Sequence, residues 1–418
     1  MKQYDSYKDS GVEWIGEVPS HWEIVPLKFT GEFGNGLTYS PKDVVDYGIL
    51  VLRSSNIQNS SLSFEDNVYV SNVSKALLVH KGDVIICSRN GSAALVGKSA
   101  FIDKDINATF GAFMMRYIPK INKKYGFYLF QTAIGRYKGY FATTTINQLT
   151  KSTIGEMKVP LANTEEQTAI VDFLDKKCSE IDHVISAQQK RIALLQELKQ
   201  SVITHAVTKG LDPNVEMDAA EEDWINRLPA SWGKAKLKYY IHLVNGRAYS
   251  QPELLSEGKY KVLRVGNFFT NDTWYYSNME LEEDKYCNNG DLLYAWSASF
   301  GPYIWNQDKT IYHYHIWKVC YKECMDKMYV YYLLKAITNF KLGDIHGSTM
   351  VHITMESMNN SVIPIPSFDE QKDIATFLDK KCASIDNALT KAQHQVELLQ
   401  KYKQSLITEV VTGKRKVC

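Results

Sequence analysis

EEQTAIVDFLDKKCSEIDHVISAQQKRIALLQELKQSVITHAVT, beginning at Glu165, returns as DEQKDIATFLDKKCASIDNALTKAQHQVELLQKYKQSLITEVVT, beginning at Asp369. The two stretches align without a gap at an offset of 204 residues, and roughly half of their positions are identical. FLDKKC recurs whole, as do LLQ and KQS. Neither stretch holds an internal Gly or Pro, and helix formers dominate both. Thr164 with Gln167, and Ser367 with Glu370, fit a capping box at the start of each. Pro160 and Pro364 lie just upstream, where the chain is still extended.

Within each stretch the apolar positions step alternately by four and three. The first seam is Leu174, Cys178, Ile181, Ile185, Gln188, Ile192, Leu195, Val202 and Ala206. The second is Leu378, Cys382, Ile385, Leu389, Ala392, Val396, Leu399, Leu406 and Val410. That spacing is a heptad seam. Two such helices in one chain bury each other's seams most simply as an antiparallel coiled coil; a seam used to dimerise the protein is the alternative. A helix from Cys178 to Ala206 spans roughly 40 Å at 1.5 Å per residue, against about 34 Å for one turn of B-DNA.

Outward from the helices, the repeat continues as ordered landmarks. WIGEVPSHW from Trp14 matches WINRLPASW from Trp224, and NGLTYS from Asn35 matches NGRAYS from Asn245. VLRSSNI from Val51 matches VLRVGNF from Val262, and GDVIICSRNGS from Gly82 corresponds to GDLLYAWSASFG from Gly290. KVPLANTEEQ from Lys158 matches VIPIPSFDEQ from Val362. A repeat with this period is one plan used twice. The expected organisation is a globular unit over 1–163, a helical region over 164–210, a second globular unit over 211–366 and a second helical region over 367–418. Short β-branched runs bounded by turn residues, among them DVIICS and AFMMRYIP, read as strands. Tyr125–Tyr140 and Met328–Leu342 read as helices. The fold class is α+β: two mixed α/β domains separated by two long helices, with an internal pseudo-two-fold repeat. The helices drifted little while the globular parts drifted far, which favours one fold reading two different things over a plain duplication with drift.

Composition excludes some classes. Hydrophobic residues make up 44% of the 418 and charged residues 23%, a globular balance. No apolar run approaches the roughly 20 residues of a membrane span, and the start MKQYDSYKDSG lacks a signal peptide's apolar stretch. The expectation is a cytoplasmic protein with reduced thiols: its seven cysteines form no CxxC pair. Net charge is +1. Residues 1–163 carry 18 Lys+Arg against 14 Asp+Glu, and residues 211–366 carry 15 against 19. A nucleic-acid interface must therefore rest on local arrangement.

Polar loops between the landmarks supply the candidates. Arg53 and Arg264 occupy one repeat position, before Asn56 and Asn267, with Ser54 between. Arg reads guanine bidentately and Asn reads adenine; the other reading is an Arg that pairs with an internal carboxylate and holds its loop. Arg89, Asn90 and Ser92 follow a strand end, where the second unit has Trp296, Ser297 and Ser299. Either this is a specificity loop or a variable solvent loop. Thr143, Thr144, Thr145, Asn147 and Gln148, matched by Ser348, Thr349 and His352, suit close approach to a phosphate or an ordinary turn. Tyr39, Ser40, Arg247 and Tyr249 follow or flank the shared Asn-Gly turn. Trp14, Trp22, Trp224 and Trp232 read as packing. His313 and His315 could ligate a metal, but alone they read as strand surface or core. No metal site is expected.

Catalytic signatures are missing. GEFGNG near Gly31 keeps only its NG in the second copy, so it is a turn and not a phosphate loop. No GxxxxGK[ST] occurs, nor an Asp or Asn followed by Pro-Pro-Tyr/Phe. The reading is a non-catalytic scaffold with no cofactor of its own; the rivals are an assembly protein that organises partners without reading DNA and a degenerate nuclease or methyltransferase.

WIGEVPSHW, the paired KVPLANTEEQ and VIPIPSFDEQ, and FLDKKC…IDHVI…LLQELKQSVIT resemble the specificity subunit of Type I restriction-modification systems. The resemblance spans the whole chain in two-copy order. The second unit departs from it, with Trp-Ile-Asn-Arg for the usual Trp-Ile-Gly and no Gly-Ser-x-Gly in GDLLYAWSASFG. It implies two target-recognition domains joined by two conserved helical regions, packed as an antiparallel coiled coil. It implies double-stranded DNA as ligand, read as a bipartite asymmetric site. It also implies two methyltransferase subunits that bind S-adenosylmethionine and two motor/endonuclease subunits as partners.

Overall fold

A computed structural model describes residues 3–141, 148–269, 271–343 and 353–417. The chain divides into two compact units, residues 1–187 with 395–418, and residues 188–394. The division cuts each long helix near its middle, so each unit holds one globular part and half of each helix.

In unit 1 the elements that build the two larger sheets and lead into the helices are β1 (Glu23–Pro26), β2 (Gly31–Asn35), β3 (Val44–Val45), β4 (Ile49–Leu52), β5 (Tyr69–Val70), β6 (Val84–Cys87), β7 (Ser99–Phe101), β8 (Ala108–Phe110), β9 (Met114–Pro119), α1 (Lys123–Phe141), β10 (Lys158–Leu161) and the start of α2 (Thr164–Lys209). One sheet has the order β7-β6-β9-β2 and a second β8-β4-β5-β3, with β8 parallel to β4. β10 pairs antiparallel with β1.

Unit 2 repeats the plan with β11 (Gly233–Lys236), β12 (Ile241–Asn245), β13 (Tyr260–Leu263), β14 (Tyr275–Ser277), β15 (Tyr286–Cys287), β16 (Leu292–Ala295), β17 (Gly301–Ile304), β18 (Thr310–Tyr312), β19 (Ile316–Tyr321), α3 (Lys327–Gly343), β20 (Val362–Ile365) and α4 (Phe368–Val411). Its sheets run β12-β19-β16-β17 and β14-β13-β18-β15, again with one parallel pair, β13 with β18. The strand expected over VLRSSNI stops at Leu52, because Asn56 accepts from the Arg53 backbone and turns the chain.

The heptad seams are realised. Leu174, Cys178, Ile181 and Ile185 pack with Leu406, Ile407 and Val410 in unit 1, and Val396 and Leu399 flank them. In unit 2, Ile203, Ala206 and Val207 pack with Ile374, Leu378 and Cys382. Ile192, Leu195, Val202 and Leu389 are half-buried, and Ile385 is buried. Trp22 fixes the antiparallel sense of unit 1: it bonds Glu166 at the start of α2 and lies against Gly413, just past the end of α4. Trp232 does the same in unit 2, between Glu370 of α4 and Gly210 after α2.

The recurring words of the sequence are contacts between each globular part and its helices. Asp175 and Asp379 of FLDKKC accept from the hydroxyls of Tyr128 and Tyr332, each at 2.7 Å. Gln167 accepts from the backbone N–H of Asn122 and donates to Ala162 O. Gln371 likewise accepts from Asp326 N and donates to Pro366 O. A capping box forms at Ser367, whose hydroxyl accepts from Glu370 N while its N–H donates to the Glu370 carboxylate. At α2 the expected box is replaced by a single side-chain cap one residue earlier, because the Glu166 carboxylate is taken by His21 and Trp22. Asn163, and not Thr164, caps the helix through Glu166 N at 2.9 Å, since Asn is the better cap and Gln167 is held elsewhere.

Candidate nucleic-acid interface

The shared Asn-Gly lies where β2 and β12 end. A side chain on Gly36 would place its Cβ 2.1 Å from Gly111 O, and one on Gly246 would lie 2.4 Å from His313 O. These glycines therefore admit a second loop and do not serve a tight turn. Leu37 N donates to Phe110 O at 2.7 Å, and Arg247 N to Tyr312 O at 3.1 Å.

Hydrogen bonds extend each contact into a cluster of loops. In unit 1, Gly111 N donates to Leu52 O, Ser88 N to Phe113 O, and Leu149 N to Ser88 O. Arg89 and Gln148 form a β-bridge, and Asn90 Nδ2 donates to Ser54 Oγ at 3.4 Å. In unit 2, His313 N donates to Leu263 O, Tyr314 N to Arg247 O, and Trp296 N to His315 O. Loops that sequence reading picked separately thus meet in each unit: 36–40, 53–56, 88–92 and 148 in the first, 246–250, 264–267 and 296–299 in the second. Thr143, Thr144, Thr145, Asn147, Ser348, Thr349 and His352 lie outside the described residues.

Several candidates hold the loops themselves. Asn56 is fully buried, and its amide donates to Ser63 O and Asp66 O, both at 3.1 Å. It has no donor left for an adenine, so the base-reading assignment is withdrawn for it. Asn267 is tied in the same way to Asn271 O and Thr273 O. Arg53 pairs with Asp66 at 2.8 Å, which also holds that carboxyl below its usual range. Ser40 caps a turn through Asp43, and Arg247 pairs with Glu253 at 2.7 Å. The bond from Arg247, with those from Ser250, pulls the Glu253 carboxyl down to about 2.

Others remain presented. Arg264 donates to Thr273 O and lies 4.3 Å over the Tyr275 ring, with no ion pair among the described residues. Arg89 is exposed and also has no ion pair among them; its guanidinium lies 5.5 Å over Phe113. Ser92 and Gln148 are exposed, and Tyr39, Ser54 and Asn90 half-buried. Tyr249 is half-buried beneath Arg247, and burial pushes its hydroxyl pKa up. Trp296 donates to Tyr314 O at 2.8 Å, beside half-buried Ser297 and Ser299.

The segments 111–113 and 313–315 sit at the centre of the clusters, and sequence reading missed that. From the sequence, His313 and His315 read as strand surface or core, with a metal site as the alternative, and not as part of the interface. Among the described residues no three His, Cys, Asp or Glu side chains are grouped to hold a metal ion. Burial, with the nearby His315 and Arg264, lowers His313 to about 4, so it is a neutral imidazole near pH 7. Extending the repeat alignment to FGAF (110–113) against YHYH (312–315) was the available signal.

A family model, the Type I restriction modification DNA specificity domain, matches residues 19–192 and 229–399. A putative type I restriction enzyme MjaX specificity subunit of Methanocaldococcus jannaschii is 26% identical over 96% of both chains. The type I restriction enzyme EcoKI specificity subunit of Escherichia coli K12 is 25% identical over 67% of this chain and 62% of that one. A chain solved in a study of complex assembly in the type I R-M system superposes with TM-score 0.70 at 15% identity, covering 94% of this chain and 98% of that one.

Proposed function

The chain belongs to the Type I restriction-modification DNA specificity family, and from that membership we propose that it reads a bipartite, asymmetric DNA site, one half with each unit. The convergence of loops of different chemistry on one repeated scaffold carries this reading. Unit 1 offers Arg89, Asn90, Ser92 and Gln148, whereas unit 2 offers Arg264, Trp296 and the 313–315 loop. Phosphate contacts position such a protein and base contacts specify the site. Two unlike sets of side chains make the site asymmetric.

The helices set the spacer between half-sites and dock the partners. Each helix exposes an apolar pair one turn apart, Leu194 with Leu198 and, at the same repeat positions, Leu398 with Tyr402. Equivalent pairs suit two copies of one partner, the methyltransferase subunit that binds S-adenosylmethionine. Two motor/endonuclease subunits complete the assembly in the cytoplasm. The chain itself is non-catalytic and carries no cofactor; among the described residues no helix is long and apolar enough to cross a membrane.

Exchanging residues 211–366 for those of another family member tests the modular reading. The complex with methyltransferase subunits, expressed in a host lacking the system, should methylate a site with one half changed and the other kept. Methylation of sites changed in both halves overturns it.

A further inference from the structure

Phe113 is 61% exposed at the centre of the unit 1 loop cluster. A phenyl ring left in water forfeits its burial, and this one cannot retract. Its carbonyl accepts from Ser88 N at 3.0 Å, Arg89 N at 3.1 Å and Ser88 Oγ at 3.0 Å, which pins the loop. The Arg89 guanidinium lies over the ring with 5.5 Å between its carbon and the centroid. A guanidinium held over a ring still has its N–H donors to offer to another partner.

Unit 2 holds different chemistry at the same place. His315 stands where Phe113 stands, packed edge-on against Trp296 at 5.0 Å, with exposed Tyr314 beside it. One unit presents an apolar ring next to a cation, and the other a set of polar aromatics.

We infer that Phe113 and Arg89 form a two-residue reader in unit 1, in which the ring covers a thymine C5-methyl and the guanidinium bonds an adjacent guanine. The major groove offers both features: the thymine methyl is its apolar mark, and guanine N7 and O6 match the two donors of Arg. Neighbouring bases stack about 3.4 Å apart, within reach of the two side chains. Phe113 thereby becomes a specificity-determining residue. The inference rests on unit 1 reading DNA, as proposed above.

Uracil differs from thymine only in lacking that methyl, which gives a direct test. The full chain in complex with its methyltransferase subunits is titrated onto duplexes carrying the site found by sequencing modified bases, with each thymine of the unit 1 half-site replaced in turn by uracil. At one position uracil should weaken wild-type binding about fourfold, the burial of one methyl, and should cost Phe113→Ala nothing further. Phe113→Leu should keep the preference for thymine, which separates contact from any folding defect. Arg89→Ala should lose discrimination at the neighbouring guanine. If every thymine-to-uracil change affects wild type and Phe113→Ala alike, the inference is wrong, and a ring that wedges between bases without reading the methyl gives that result. If the wild-type complex does not prefer its site to a scrambled duplex, the DNA-reading proposal itself fails.

Discussion

Lys403 donates to both carboxylate oxygens of Asp182, at 2.7 and 2.6 Å. The residues one repeat away do the same: Lys199 meets Asp386 at 2.6 and 2.7 Å. Each pair lies within one unit and joins the two long helices there. A heptad seam alone leaves helix direction open. These pairs, at matching positions in both copies, fit only the antiparallel pairing in which the first part of one helix meets the last part of the other.

The pairs should nonetheless contribute little to stability. Asp182 and Asp386 are half exposed, at 54% and 52%, and exposed ion pairs are worth up to about 1 kcal/mol. Lys403→Ala should cost less than that, and less still in high salt. Leu378→Ala, at a fully buried seam position, should cost about 2–5 kcal/mol. Urea unfolding of the two variants decides it; a Lys403→Ala loss as large as that of Leu378→Ala would refute the ranking.

Trp232 joins unit 2 to its helix through a bond to Glu370 at 3.1 Å. Burial alone would raise the Glu370 pKa, but bonds from Trp232 and Ser367 outweigh it and hold the group below 4.5. A lowered carboxyl pKa gives stability that is full above the unfolded value and is lost as pH falls through the folded one. Trp232→Phe should therefore destabilise by about 1 kcal/mol at pH 7, and the difference should shrink as pH falls below the unfolded carboxyl value and through the lower folded one. Melting curves of both proteins from pH 7 to 3 measure this; a gap that widens on acidification contradicts it.

The helical half of the molecule was legible because its constraints are local and repeated. Leu174, Asp175 and Cys178 recur as a word because each has a contact that both copies need. The cap at Asn163 was misplaced by one residue, since Thr164 and Gln167 also satisfy the pattern and only the bonds from Gln167 to the globular part break the tie. The loop clusters were half legible. Their members lie far apart in sequence and meet through loop-to-loop backbone bonds beside the parallel β4–β8 and β13–β18 pairings, which no periodicity announces. Asn56 matched a base reader by residue type, yet its burial follows from the fold. Phe113 matched no pattern because a single exposed aromatic residue has none.

His313 should remain neutral near pH 7. Its shift to about 4, caused first by burial and then by His315 and Arg264, lies below the unfolded value near 6.5. Its contribution to stability is present above about 6.5 and is lost as pH falls toward 4. DNA affinity should thus show no His313 step between pH 6 and 8. Imidazole NMR signals compared between wild type and His313→Gln give the titration directly, and a midpoint near 6.5 would count against a half-buried neutral ring.

Asn56 and Arg264 separate holding a loop from reading DNA. Asn56→Ala strips backbone carbonyls of their buried donor and should cost about 1–3 kcal/mol of stability, with both half-sites unchanged in the methylated sequences. Arg264→Ala should instead relax one position in the unit 2 half-site, by about 1–3 kcal/mol of discrimination, and leave the other half intact. If the Asn56 variant changes specificity while the Arg264 variant does not, their roles have been assigned the wrong way round.

The spacer should follow helix length, but only when both helices change. Residues 192–198 of α2 and 396–402 of α4 are repeat equivalents, and the ion pairs Lys403–Asp182 and Lys199–Asp386 lock the pairing on either side of them. Adding one turn to α2 alone would shift one of these pairs out of register along with the seam residues beside it. The chain should then lose stability before it gains reach. Adding four residues to both helices at the matching points restores the pairing and lengthens each by about 6 Å, which is one to two base pairs of DNA. Sequencing of modified bases should show both half-sites kept and the spacer longer by that amount. An unchanged spacer in a stable double-insertion variant would remove the helices from the role of ruler.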